Sequence, residues 1–155
     1  MLLAFMLATS SVLAQPPASE IANQIEQYWK NYEFNELETY INTLYQNYPN
    51  YIPAILAKSF YHSAFRNHLS DSLVELNRIV EAVKNNPGLG SKDFRETLDA
   101  VKKMTERFIE GYQKDGVTQE ELSAAASVQE GREVWGNTPL REFELISLAP
   151  NESIH

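Results

Sequence analysis

Successive segments of this 155-residue chain carry apolar residues three and four positions apart, separated by clusters of proline, glycine and asparagine. That spacing is the period of a helix with one buried face, and the separators end helices or open turns. In 92–114, for example, an apolar stripe follows Ser91, whose hydroxyl suits a helix N-cap. The pattern predicts helices over 20–32, 36–48, 53 to about 67, 71 to about 85, 92–114 and 118 to about 131. We therefore expect an all-α protein.

The first four predicted helices form two similar pairs. A shift of 36 residues places Ile21 on Ala57, and a shift of 38 residues places Ile41 on Ile79 and Pro49 on Pro87. A helix–turn–helix unit of this length is typical of arrays in which each hairpin buries its face on the next one. The alternative is a plain helical bundle.

The segment from Ile21 to Pro49 resembles the tetratricopeptide family. Tyr28 stands late in the first helix, and Leu37, Ile41, Leu44 and Pro49 follow at the family's spacing. Leu37 and Leu44 are larger than the small residues that the family places there, and no Leu-Gly pair occurs in the first helix. The resemblance covers about residues 20–87. It implies antiparallel helix hairpins stacked as a short right-handed array, here of about six helices.

The two ends of the chain differ from this helical body. Met1–Ala14 is uncharged and apolar, too short to span a bilayer comfortably, and Val12 and Ala14 resemble an export cleavage site. We expect a signal peptide at 1–14, although a leader normally opens with Lys or Arg, so the true start could lie upstream. An uncleaved membrane-grazing end or a buried helix are the alternatives. The helical-repeat domain would then cover 15–138.

Partial alternation over Leu140–Leu148 predicts an extended segment in an irregular tail, 139–155. One strand has no partner within the chain, so it must pack as coil or pair with another chain.

The net charge and the absence of cysteine limit the kinds of partner and chemistry that this chain can have. The net charge of −8 argues against nucleic acid or anionic lipid as a partner, and it agrees with a soluble protein or with basic partners. The absence of cysteine excludes disulfides, thiolate chemistry and a lipid-anchored lipoprotein, and favours a bacterial periplasmic or extracellular location. His62 and His68 are six residues apart, which does not suit a shared metal ion on one helix. No cofactor is predicted.

Seven of the eight tyrosines fall between Tyr28 and Tyr61. Aromatic side chains give a large contact area with few rotatable bonds, so they are effective at gripping a peptide. The candidate partner-binding residues are Tyr28, Trp29, Tyr32, Tyr61 and His62. The alternative is that these rings fill gaps between helices.

The sequence thus predicts an exported, non-catalytic helical-repeat protein that binds a protein or peptide, with no stable membrane span after leader removal. One alternative is a small exported hydrolase using carboxylates and Tyr61 or His62 in a cleft. Another is a structural envelope subunit whose segment 140–148 adds to a neighbour's sheet edge. The oligomeric state stays open.

Overall fold

Six helices make up the described protein. The computed structural model describes residues 14–66, 68–118, 120–121 and 141–155. The helices are α1 (Ala18–Lys30), α2 (Phe34–Asn47), α3 (Ile52–Arg66), α4 (Leu69–Asn85), α5 (Lys92–Lys114) and α6 (Arg141–Leu148). The all-α prediction is confirmed for this part of the chain, and α1 to α5 match the predicted helices to within less than a turn. The predicted leader (apart from Ala14) and most of the helix predicted at 118–131 lie outside the described residues.

The start of α5 shows how local sequence sets a helix boundary. The Ser91 hydroxyl accepts a hydrogen bond from the Phe94 N–H at 3.0 Å, as an N-cap should. Gly90 before it has φ +77°, and a Cβ atom there would lie 2.5 Å from the Phe94 ring. Glycine is required at this position because both the backbone conformation and the close ring exclude a side chain.

The order of packing brings the last helix into the centre. From α1 to α5, each helix packs against the next one in the chain, and α6 packs against α1, α3 and α5. Three rings join these elements: Trp29 lies 5.5 Å from Phe60 and 6.0 Å from Phe143, and Phe60 lies 5.1 Å from Phe143, between ring centroids. These rings join α1, α3 and α6 within a core to which α2, α4 and α5 also contribute buried residues.

The extended conformation predicted for Leu140–Leu148 is wrong, because Arg141–Leu148 is a helix. Phe143, Leu145 and Ile146 are all buried. The alternation placed Ile146 on the outward side of a strand. In a helix, residues 143 and 146 lie on the same side, and here that side packs against α1, α3 and α5. A helix also satisfies its own backbone, which a lone strand does not. The tail predicted at 139–155 is thus helical over 141–148, and that segment is not a strand for a neighbour's sheet.

The last residues form a strap across the turn between α2 and α3. The Ile52 N–H donates to the Glu152 carbonyl at 2.9 Å, and the Ile154 N–H donates to the Asn50 carbonyl at 2.8 Å. The strap also holds the start of α1. Pro17 is its N-cap residue and makes no side-chain cap bond. The Asn151 Oδ1 atom accepts from the Ala18 N–H at 2.7 Å instead. The chain end therefore caps the first helix.

Within the ranges that the structure describes, no helix is both long and apolar enough to cross a membrane.

Candidate binding groove

An open cavity of about 590 Å³ runs between α1 and α2. Tyrosines and uncharged polar residues dominate its wall, with a single carboxylate from Glu36. The lining residues are Pro16, Tyr28, Asn35, Glu36, Thr39, Tyr40, Thr43, Leu44, Asn47 and Tyr48. We call this cavity the α1–α2 groove.

The floor of the groove is a polar row on α2. Asn35, Thr39, Thr43 and Asn47 recur every four residues and are exposed. Residues four apart lie one above the other on a helix, and the twelve residues from first to last correspond to about 18 Å. The opposite face of α2 buries Leu37 and Ile41. The sequence therefore builds a helix with an apolar inner face and an uncharged, hydrogen-bonding outer face.

Tyrosine rings border this row. Tyr28 from α1 and Tyr40 from α2 pack edge to face with their ring centroids 6.0 Å apart. Near the other end, the Tyr48 hydroxyl donates to the Ala14 carbonyl at 3.4 Å. Burial, with smaller effects of Glu20 and Tyr28, raises the pKa of Tyr40 to about 12. Its phenol therefore stays protonated at neutral pH and remains a hydrogen-bond donor.

The part of the molecule around the groove is acidic. Residues 14–51 contain five glutamates, one lysine and no arginine, aspartate or histidine, a formal net charge of −4. The lysine, Lys30, already forms an ion pair with Glu26 at 3.1 Å. Carboxylates therefore outnumber cations in this range of the sequence, although Lys58 contacts Asn42 and Arg78 contacts Asn50 from the neighbouring helices. An excess of carboxylates favours cations over anions as ligands.

Of the predicted partner-binding residues, Tyr28 lines the groove and Trp29 does not. Trp29 is 1% exposed and packs edge to face against Phe34, Phe60 and Phe143. The prediction that Trp29 contacts a partner is wrong in this conformation. The ring follows Tyr28 directly in the helix, so it points about 100° away and enters the core.

Tyr32 is 53% exposed and lies just beyond the end of α1. Its φ of 59° places it in the left-handed region. The Tyr32 N–H donates to the Trp29 carbonyl and the Glu33 N–H to the Tyr28 carbonyl, at 3.3 and 2.9 Å. These two bonds form a Schellman motif, in which glycine usually occupies the left-handed position. A tyrosine there is strained, and its ring contacts Phe34 at 5.8 Å.

Tyr61 contacts α2 on the side away from the groove, and the charges acting on His62 come from α3, from α4 and from His68 just before it, so the structure does not bring either residue together with Tyr28. Tyr61 is 7% exposed, and its hydroxyl donates to Glu38 Oε2 at 2.7 Å. His62 is half-buried, and burial, assisted by the nearby Lys58 charge, lowers its pKa. The predicted set thus separates into a groove residue (Tyr28), a core residue (Trp29), a strained surface residue (Tyr32), a residue at the α2–α3 interface (Tyr61) and a half-buried histidine on the α4 side of α3 (His62).

That interface holds an internal lysine among aromatic rings. The Lys58 Nζ atom lies 4.5 Å from the Tyr61 ring centroid and 5.5 Å from that of Tyr45, and it donates to Asn42 Oδ1 at 2.6 Å. Burial lowers the pKa of Lys58. The ammonium is held by tyrosine faces and an amide oxygen, which is a cation–π arrangement, and the carboxylates of Glu75 and, more weakly, Glu38 act on its charge. We call this arrangement the Lys58 cage.

A second cavity, of about 440 Å³, lies between α4 and α5 and has mixed charge. Its two carboxylates, Glu106 and Glu110, stand one turn apart on α5, and Glu106 pairs with Lys102 at 2.9 Å. In the parts of the chain described, no group of three or more His, Asp or Glu side chains is placed to hold a metal ion.

The sequence reasoning missed Tyr40, Tyr48 and the polar row as site residues. The four-residue recurrence of short amide and hydroxyl side chains was the pattern that could have identified the outer face of α2. Searches of family models, curated proteins and solved structures find no match to this chain.

Proposed function

We propose that this protein is a non-catalytic binding protein that takes an extended segment of a partner protein into the α1–α2 groove. The observation that carries the proposal is the combination of three tyrosine rings with an uncharged polar row in one open groove. Rings supply contact area and desolvation, and amides can bond the main chain of a peptide. Glu36 is the one carboxylate among the described lining residues, so the groove provides binding groups rather than an acid and base pair.

We also propose that α1–α2 and α3–α4 are two hairpins of a short tetratricopeptide-like array and that α5 opens a third. The contacts of α6 with α1, α3 and α5 support this arrangement, because these would be the first helices of the three hairpins. In it, α6 covers the surface that those first helices share. The partner segment then binds on α2, the outer helix of the first hairpin.

The site of action that we propose is outside the cytoplasm, in the periplasm or the extracellular medium. The support is the uncharged apolar run Met1–Ala14 ahead of Gln15. Mass spectrometry of protein recovered from the periplasm or medium should find a chain beginning at Gln15. Recovery of the uncleaved chain from the cytoplasm alone would contradict this location.

The binding proposal is tested by selecting displayed twelve-residue segments on the purified protein and measuring their affinity by fluorescence anisotropy. Tyr28→Ala should weaken binding at least about tenfold, the size expected for a central aromatic contact. Tyr112→Ala is the matched control, because Tyr112 is also a half-buried tyrosine but lies on α5. Both variants should keep wild-type helicity. Selection of no segment, or equal affinity for the two variants, would refute the proposal.

A further inference from the structure

We propose that the segment bound in the α1–α2 groove is basic, with a lysine or arginine side chain against the Tyr28–Tyr40 ring pair, near Glu20 and Glu36. This inference rests on the proposed function, since it names the chemistry of the segment that the groove takes. Two observations support it: the Lys58 cage, in which the protein binds one of its own lysines, and the charge around the groove.

The internal example is the Lys58 cage on the opposite face of α2. There, α2 contributes Tyr45, Asn42 and Glu38, and α3 contributes Tyr61 together with the ammonium itself. Tyrosine faces attract the cation through their quadrupole, the amide oxygen accepts its proton, and a nearby carboxylate offsets its charge. The α2–α3 interface thus already holds one lysine side chain by this set of groups.

The outer face of α2 offers the same kinds of groups. Tyr28 and Tyr40 supply a ring pair, Asn35 supplies an amide oxygen, and Glu36 supplies a carboxylate. The charge of the exposed Glu20 contributes to the raised pKa of Tyr40, so a second carboxylate acts on this ring. None of the described residues that line the groove is a lysine or arginine. A cation from a partner would therefore complete the set that Lys58 completes on the other face.

The charge of the surrounding surface acts in the same direction. Residues 14–51 carry a net charge of −4, and their single lysine is paired with Glu26. These charges would repel an acidic segment, and a neutral segment would gain no electrostatic attraction from them. The polar row from Asn35 to Asn47, about 18 Å long, matches about five residues of extended chain at 3.3–3.6 Å each. One or two basic residues would fall at the end of the row that holds Glu36.

Three matched probe peptides test the inference. Each is a nine-residue, acetylated and amidated alanine–serine peptide with two variable positions, filled by lysine, by norleucine or by glutamate. Norleucine keeps the aliphatic stem and removes the charge. The lysine peptide should bind about two- to thirtyfold more tightly than the norleucine peptide, the range of cation–π energies converted to affinity. Its affinity should fall as salt rises, because the groove is open to solvent.

Variants of the protein locate the effect. The double variant Glu20→Gln/Glu36→Gln should weaken the lysine peptide about two- to tenfold and leave the norleucine peptide unchanged. The matched control is Glu81→Gln/Glu96→Gln, two exposed glutamates on α4 and α5, which removes the same charge elsewhere and should change neither affinity.

Two further outcomes separate the inference from the proposed function. If norleucine or glutamate peptides bind as well as the lysine peptide, or if display selection returns neutral or acidic segments, the basic-segment inference is overturned and peptide binding stands. If the groove takes no peptide but binds oligosaccharides on a glycan array, both are overturned.

Discussion

Replacing Phe143 by alanine should destabilise the protein by about 4 kcal/mol, although the residue lies in a segment that the sequence assigned to a tail. Phe143 is 5% exposed, and its ring centroid lies 5.1 Å from that of Phe60 and 6.0 Å from that of Trp29. Removing a buried phenylalanine costs about 3–5 kcal/mol through lost apolar burial and the cavity left behind. The two ring pairs place Phe143 toward the upper part of that range, since each contributes about 0.5–1.5 kcal/mol beyond area.

A loss of this size is large beside the total stability of about 5–15 kcal/mol for a domain of this kind. Urea unfolding followed by far-ultraviolet circular dichroism measures it. With a denaturant slope of about 2 kcal/mol per molar, the midpoint should fall by about 2 M. Phe108→Ala is the control, because Phe108 is 41% exposed on α5 and should cost less than about 1 kcal/mol. A Phe143→Ala loss no larger than that of Phe108→Ala would show that α6 is not part of the core.

Three further changes test local features of the structure. Tyr32→Gly should be about 1 kcal/mol more stable than Tyr32→Ala in urea unfolding, because both variants lose the ring and only glycine adopts the left-handed φ without strain. Equal stabilities would show that the backbone at Tyr32 is not strained. Asn151→Ala should lower the free energy of unfolding by about 1 kcal/mol, because the Ala18 N–H at the start of α1 loses its acceptor. Asn151→Asp keeps an acceptor oxygen and should lower it less, and thermal melts that rank the two variants otherwise would contradict the cap. The pKa of Tyr40 is about 12 in the folded protein and near 10 in the unfolded chain, so between these pH values the folded state keeps a proton that the unfolded state loses. The free energy of unfolding should therefore fall as pH rises from 10 to 12. Tyr40→Phe should reduce that slope in urea titrations at several pH values, and an unchanged slope would contradict the burial of this phenol.

The helices α1, α2, α4 and α5 were predictable because each has one buried face, so its apolar residues recur with the helical period. The helix α3 is buried on most sides over 52–61, and Pro53 in its first turn was the signal that located it. The final helix, α6, was not predictable, because it is short and buried on more than one side. Leu145 and Ile146 are adjacent and both buried, so no clean period of 3.6 appears in eight residues. Only the surface presented by α1, α3 and α5 selects its conformation.

The candidate site was predictable in part. Tyr28 lines the groove, whereas Trp29 beside it is a core residue, and residue type alone does not separate these positions. Tyr40 and Tyr48 share a broad apolar stripe with Leu37, Ile41 and Leu44, which the periodicity assigned to one side of α2. In the structure, Leu37 and Ile41 turn to the core, and Tyr40 and Tyr48 turn to the groove. Leu44 lies between them, buried in the core and lining the groove. The packing of α2 against its neighbours determines which residues face the core, and the spacing of apolar residues in the sequence does not indicate it.

The most direct measurement of the central claim is a nuclear magnetic resonance titration of the isotope-labelled protein with the lysine probe peptide. If the peptide binds in the groove, the backbone amide shifts should change along the polar row, at Asn35, Thr39, Thr43 and Asn47, and those of α6 should not change. Shifts centred on α6, or no shifts at peptide concentrations that saturate the anisotropy signal, would contradict binding in the α1–α2 groove.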